Sequence, residues 1–239
     1  MSTIDASRYV DLLRPGLMPI AGAQDGVCGR CRSGANSGFT ACYRCDQVGA
    51  VDVLPISMSV HGGPLHHRLR HYKDDTREER RNEYTLQLAA LLSKFLGRHM
   101  ECIGGEPEAV TTVRSARRDA PRRIVRRIQS LRDLHVALDW VGGDERIRFS
   151  APAELKGRRV LLVDDTFTQG RSITAAREAL IEVGAHVMMP LVIGRHFRPG
   201  FATSRPLHGC LSRYRWRLRR CGICKPVECP GIVGPATLL

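Results

Sequence analysis

One stretch governs what this chain can become: residues 158 to 180, RRVLLVDDTFTQGRSITAAREAL. Val160 to Val163 is continuously apolar, as expected of a strand covered on both faces of a sheet. Two aspartates, Asp164 and Asp165, close the run, and Thr166, Phe167, Thr168, Gln169, Gly170, Arg171 and Ser172 lead on as a hydroxyl- and glycine-bearing loop. A helix is expected from Ser172 to Val183, ended by Gly184. In an open α/β sheet, ligands bind beyond the carboxyl ends of the strands. The loop would therefore face the free N–H groups and positive dipole end of the helix. Gly170 allows close backbone approach, and Thr168 and Ser172 offer hydroxyl donors, which together make a phosphate cradle. Two carboxylates repel phosphate, so they are expected to face another part of the same ligand. Vicinal sugar hydroxyls, which donate hydrogen bonds to carboxylates, suit them. A ribose 5-phosphate moiety meets both demands. The plainer alternative is an Asp-rich turn with Ser172 as helix N-cap. A Walker B strand also ends in acidic residues, but the chain has no G-x-x-x-x-G-K-[ST] loop.

The remaining chain supplies the setting. Residues 1 to 50 are rich in Gly, Cys and Ser, and apolar periodicity begins only at Val51. VDVLPISMSV alternates as a strand does and ends at an HGGP turn. Tyr84, Leu88, Leu91, Leu92 and Phe95 predict a helix from Glu78 to Phe95, with Gly97 as its stop. Glu108 to Val113 is a short β-rich run. Pro121 is expected to open a helix over Arg122 to Leu131. Val136 to Val141, Arg146 to Phe149 and His186 to Ile193 are further strand candidates. Strands alternating with helices predict an α/β fold with a mainly parallel sheet. Three parts are expected: a Cys-rich module over 1–50, the α/β domain over 51–194, and a basic Cys-containing extension over 195–239.

The segment LLVDDTFTQGRS resembles the 5-phosphoribosyl-1-pyrophosphate (PRPP) signature of type I phosphoribosyltransferases. A wider resemblance is to the ComF-like branch of that superfamily, associated with bacterial DNA uptake. It rests on the N-terminal four-cysteine module, on LRHYKDDTREER leading into a helix, and on GRRVLLVDDTFTQGRSI. The resemblance implies a phosphoribosyltransferase-type sheet, PRPP as donor, and Mg²⁺ with the pyrophosphate. It assigns the donor site to Asp164, Asp165 and the loop Thr166–Ser172. It also places a pyrophosphate loop after the first sheet strand, at Val113-Arg114-Ser115-Ala116-Arg117, where Arg114, Ser115 and Arg117 would contact the leaving group. Lys73 is a further candidate. The acceptor is not legible.

Nine cysteines are too few for a disulfide scaffold in 239 residues, and their clustering favours metal. Cys28-x₂-Cys31 and Cys42-x₂-Cys45 form two knuckles ten residues apart, a spacing that predicts a closed structural zinc site, a zinc ribbon. In the tail, Cys221-x₂-Cys224-x₄-Cys229 with Cys210 is read as a second zinc site, as free thiols, or as an iron–sulfur centre. Cys102 and the histidines His61, His66, His67 and His71 show no ligand spacing.

The net charge of +13, with arginine outnumbering lysine 33 to 4, fits either a solvated basic surface or nucleic-acid contact. In SRYRWRLRR, Tyr214 and Trp216 could stack on single-stranded nucleic acid, or alternate with Leu218 in an edge strand. The alternative to an enzyme is thus a nucleic-acid-associated accessory protein that keeps the ribose-phosphate site as a sensor. Without a signal-peptide pattern or an apolar run of membrane length, a cytoplasmic protein with no membrane partner is expected.

Overall fold

The computed structural model describes residues 6–115, 119–142 and 147–232. Its centre is a five-stranded parallel sheet of β1 (Leu54–Val60), β2 (Ala109–Thr112), β5 (Arg159–Phe167), β6 (His186–Val187) and β7 (Leu191–Phe197). The order is β1-β7-β5-β2, with β6 pairing the start of β5. A small antiparallel ladder joins β3 (Asp139–Trp140) to β4 (Phe149–Ser150). The helices are α1 (Ala6–Leu13), α2 (Tyr43–Gln47), α3 (Pro64–Asp74), α4 (Glu78–His99), α5 (Ala120–Val125), α6 (Gln129–Arg132), α7 (Arg171–Glu182) and α8 (Arg205–Leu211). None is long and apolar enough to cross a membrane.

Parallel neighbours need crossovers, and helices supply them. The α3–α4 pair carries the chain from β1 to β2, and α7 carries it from β5 to β6 and β7. Each strand of the main ladder is therefore covered on both faces, and β5 reads Val160–Val163 without a polar interruption. One face buries Leu161, Val163 and Ile193 under α1, α3, α4 and α5. The other buries Val160, Leu162 and Val192 under α7 and the Cys-rich module. Even Ser57 and Ser59 of β1 are buried, which the alternating pattern of that strand did not foretell.

Several boundaries differ from expectation for local reasons. Helix α4 runs through Gly97 to His99 and stops after a 3₁₀ turn at Gly104, where φ is +105°. Left-handed φ ends the helix, and Gly97 does not adopt it. The expected helix over Arg122–Leu131 is two short ones, because Ile128 takes an extended conformation between them. Asp119 caps the first by accepting from the Arg122 N–H at 3.3 Å. The expected strand His186–Ile193 is broken at residues 188–190, where the Met189 N–H turns to the Ile103 carbonyl and Pro190 has no N–H to give. Of the strand expected over Arg146–Phe149, Arg146 lies outside the described residues.

The tail departs furthest. Trp216 is 6% exposed and its indole Nε1 donates to the Ile56 carbonyl of β1 at 3.0 Å. No strand forms over Tyr214–Leu218, and Trp216 offers no free face for stacking on a base; Tyr214 remains 42% exposed. Cys210 and Cys229 are joined by a disulfide, so the grouping of Cys210, Cys221, Cys224 and Cys229 as one metal site is wrong. Cys221 and Cys224 face His99 and Cys102 instead. Spacing along the tail could not show this, since the partners come from the far end of α4.

Candidate functional site

A cleft of about 580 Å³ opens at the carboxyl end of β5. Three segments build it. Strand β5 delivers Asp164, Asp165 and Thr166; the turn after it delivers Thr168, and the first turn of α7 delivers Ser172. The chain leaving β2 contributes Arg114 and Ser115 on another wall. Helix α3 adds His66, Leu69 and Lys73. A smaller adjoining recess of about 240 Å³ is lined by Gln169, Gly170 and Arg171, and shares Asp164, Thr166, Thr168 and Ser172 with the cleft. The residues singled out around the Asp pair and after β2 thus meet in one place, although about fifty positions separate Arg114 from Asp164. Arg117 lies outside the described residues.

The local fold explains the shape of the loop. Strand β5 continues through Thr166 and Phe167, so the turn proper is only Thr168-Gln169-Gly170. Gly170 caps α7 with φ at +88°, a left-handed conformation that side chains disfavour. A Cβ there would also lie 2.6 Å from the Phe167 ring and 2.9 Å from the Ala50 methyl. Phe167 is buried and acts as the floor beneath the loop.

The two aspartates have separate surroundings. Asp165 is 2% exposed and accepts hydrogen bonds from the Tyr72 hydroxyl and from Lys73 Nζ, which lies 2.9 Å from Oδ1 and 2.7 Å from Oδ2. Its charge is balanced by α3. Asp164 is half-buried, with Oδ1 accepting the Asp165 N–H at 2.8 Å. Burial, then the neighbouring Asp165 carboxylate, push the Asp164 carboxyl up to about 8. Burial and Asp165 likewise raise the Tyr72 hydroxyl well above its ordinary value, so it remains a donor. Arg114 Nε is buried and has no hydrogen-bond partner among the described residues. An unpaired guanidinium N–H beside a cleft is an opening for an anion.

Tyr72 was not anticipated. Its neighbour Lys73 in HYKDD was, and one turn of α3 presents both to Asp165. His66 was noted only as lacking ligand spacing, and it stands in the cleft wall. His61, His66 and His196 bring one ring nitrogen each within 4.8 Å of one another, from the turn after β1, from α3 and from β7.

The four N-terminal cysteines converge as their spacing predicts. Cys28, Cys31, Cys42 and Cys45 are buried, with their sulfur atoms all within 4.8 Å of one another. Cys31 Sγ and Cys42 Sγ are 3.8 Å apart, and the Cys31 N–H points to Cys28 Sγ at 3.5 Å. Hydrogen bonding from Cys31 holds the Cys28 thiol well below its ordinary value, whereas burial pushes Cys31 up. The group could hold a metal ion. Arg195 of β7 lies between it and the cleft loop. Its guanidinium stacks on the Phe167 ring at 5.1 Å and donates to the Phe167 carbonyl at 3.2 Å. Burial opposes its charge, and the nearby Cys31 sulfur would offset that only once it is ionised.

No protein-family model matches the chain, and no curated protein does.

Proposed function

We propose that the cleft binds PRPP or a closely related ribose 5-phosphate, and that the chain is a type I phosphoribosyltransferase-like protein of the ComF-like kind. The observation that carries this reading is the meeting of Asp164, the Gly170 loop and Arg114 around one cleft at the carboxyl end of β5. The 5-phosphate would lie against the first N–H groups of α7, with the Thr168 and Ser172 hydroxyls donating to it. Asp164, the carboxylate that is not already paired with α3, would accept hydrogen bonds from the ribose hydroxyls. Asp165 would act one step removed, by fixing Lys73 at the cleft rim.

The reaction that follows breaks the bond between ribose C1 and pyrophosphate and forms one from C1 to an acceptor nucleophile. Positive charge spreads over C1 and the ring oxygen while negative charge grows on the leaving group. Arg114, with its unpaired Nε, would stabilise the latter and withdraw the pyrophosphate from the reacting carbon. Mg²⁺ would add charge neutralisation at the pyrophosphate and ribose hydroxyls, and the oxygen donors that suit it here are Asp164 and the hydroxyls beside it. At the N-terminal cluster, four thiolates with no open position suit a structural zinc ion.

Calorimetric titration with PRPP and Mg²⁺ tests the reading. Wild type is expected to bind, and Asp164→Asn to bind at least about tenfold more weakly, since Mg²⁺ in the cleft would draw off the Asp164 proton and a hydrogen bond to the ionised carboxylate is worth about 1.5–3 kcal/mol. A folded wild type that takes up no PRPP would sink the proposal.

A further inference from the structure

We propose that His99, Cys102, Cys221 and Cys224 form a second metal site, taking zinc through one imidazole nitrogen and three thiolates and fastening the C-terminal segment to the end of α4. The inference is independent of what the cleft binds.

The distances are close to the edges of a tetrahedral coordination shell. Cys221 Sγ lies 3.4 Å from Cys224 Sγ, Cys224 Sγ 3.2 Å from His99 Nδ1, and Cys102 Sγ 3.8 Å from His99 Nδ1. All four ligand atoms fall within 4.8 Å of one another. A tetrahedron with zinc–sulfur bonds of about 2.3 Å has edges of about 3.8 Å, slightly shorter where a nitrogen replaces sulfur.

The imidazole is already set for the task. His99 Nε2 lies 2.6 Å from the Leu218 carbonyl, which can only accept, so the ring proton sits on Nε2. Nδ1 therefore presents its lone pair to the sulfur atoms. A metal-bound histidine is commonly held in this way, by a carbonyl on its other nitrogen. The ring is 2% exposed, and water does not compete for the position.

The cysteine pair repeats the backbone of the N-terminal knuckle. The N–H groups of Ile223 and Cys224 point to Cys221 Sγ at 3.4 and 3.2 Å, as the Cys31 N–H points to Cys28 Sγ at 3.5 Å. The residue after each second cysteine is left-handed: Arg32 at φ 63° and Lys225 at φ 53°. These are the only non-glycine residues with positive φ among the described residues. Long side chains take that conformation rarely. Its recurrence at the same step of two Cys-x₂-Cys turns marks both as thiolate knuckles.

Metal analysis of the purified full-length chain tests this. Two zinc ions per chain are expected, falling to one in Cys221→Ser/Cys224→Ser. Cobalt-exchanged wild type should show thiolate charge-transfer and ligand-field absorption from two distinct sites, the variant from one. If the variant does not fold, alkylation of native wild type provides the reading. Cys102, Cys221 and Cys224 should resist iodoacetamide until a chelator is added. A single zinc in wild type, two zinc ions in the variant, alkylation of these thiols without chelator, or a Cys221–Cys224 disulfide in the mass spectrum would each overturn the proposal.

Discussion

The two thiol groups of this chain lie on opposite faces of the sheet and are assembled in opposite ways. The N-terminal four come from one short segment and close over the face shared with α7. The second group draws on residues 125 apart, His99 and Cys224, and sits under the face shared with α4. A local set can gather its ligands before the sheet exists, because closing a short loop costs little entropy. A remote set gathers only after α4 and the tail have docked. The first group can shape the fold, and the second can only lock it.

That contrast orders the effects of substitution. With zinc held there as proposed, Cys42→Ser/Cys45→Ser should be the most damaging change, since structural zinc is worth about 10–16 kcal/mol in small metal-folded units. Loss of the near-ultraviolet circular dichroism of the native chain is expected, and a variant that melts with wild type would erase the distinction. Next is Trp216→Ala, which empties a buried indole site against β1 and should cost about 3–5 kcal/mol. Trp216→Phe should cost about 1 kcal/mol, for the bond to the Ile56 carbonyl. Denaturant titration of both tells whether the tail is held by packing as well as by its cysteines. Cys210→Ser/Cys229→Ser opens a link across 19 residues and should cost up to about 3 kcal/mol, read as a lower melting temperature that reductant also produces in wild type.

The smallest effect has the opposite sign and belongs to the cleft. Asp164, raised to about 8 in the fold, keeps its proton near neutrality, whereas the unfolded chain gives it up near 4. Its contribution is fully present below pH 4 and is lost as pH rises through about 8. Asp164→Asn should therefore leave stability unchanged in acid and raise it by at least about 1 kcal/mol at pH 8.5. Melting curves at the two pH values check the crossing. Equal shifts at both would mean that the carboxyl is ionised in the fold at neutral pH.

What could be read from residue order follows the same division between near and far. Strand β5, its aspartates and the Gly170 turn were legible because an apolar run, a charge pair and a glycine occur in that order within a dozen positions. The knuckles at Cys28 and Cys42 were legible from spacing alone. Tyr72 was not, because its role depends on α3 lying across the end of β5. His99 and Cys102 were not, because the turn of α4 brings them to cysteines over a hundred positions away. Trp216 among arginines suggested either a base-stacking surface or a half-buried edge strand, and the docking of the tail against β1 shows it buried without forming a strand. The break at Ile128 rests on backbone conformation that the run of arginines around it does not disclose.

Arg195 has a consequence for how the molecule responds to its surroundings. One guanidinium stands between the N-terminal thiols and the floor of the Gly170 turn, touching Phe167 on one side and neighbouring the Cys31 sulfur on the other. Thiols that ionised would therefore share this cation with the turn. A change of charge on the sulfur atoms, whether by metal uptake or by oxidation, would be met first by Arg195, the side chain that also holds Phe167 under the Gly170 turn.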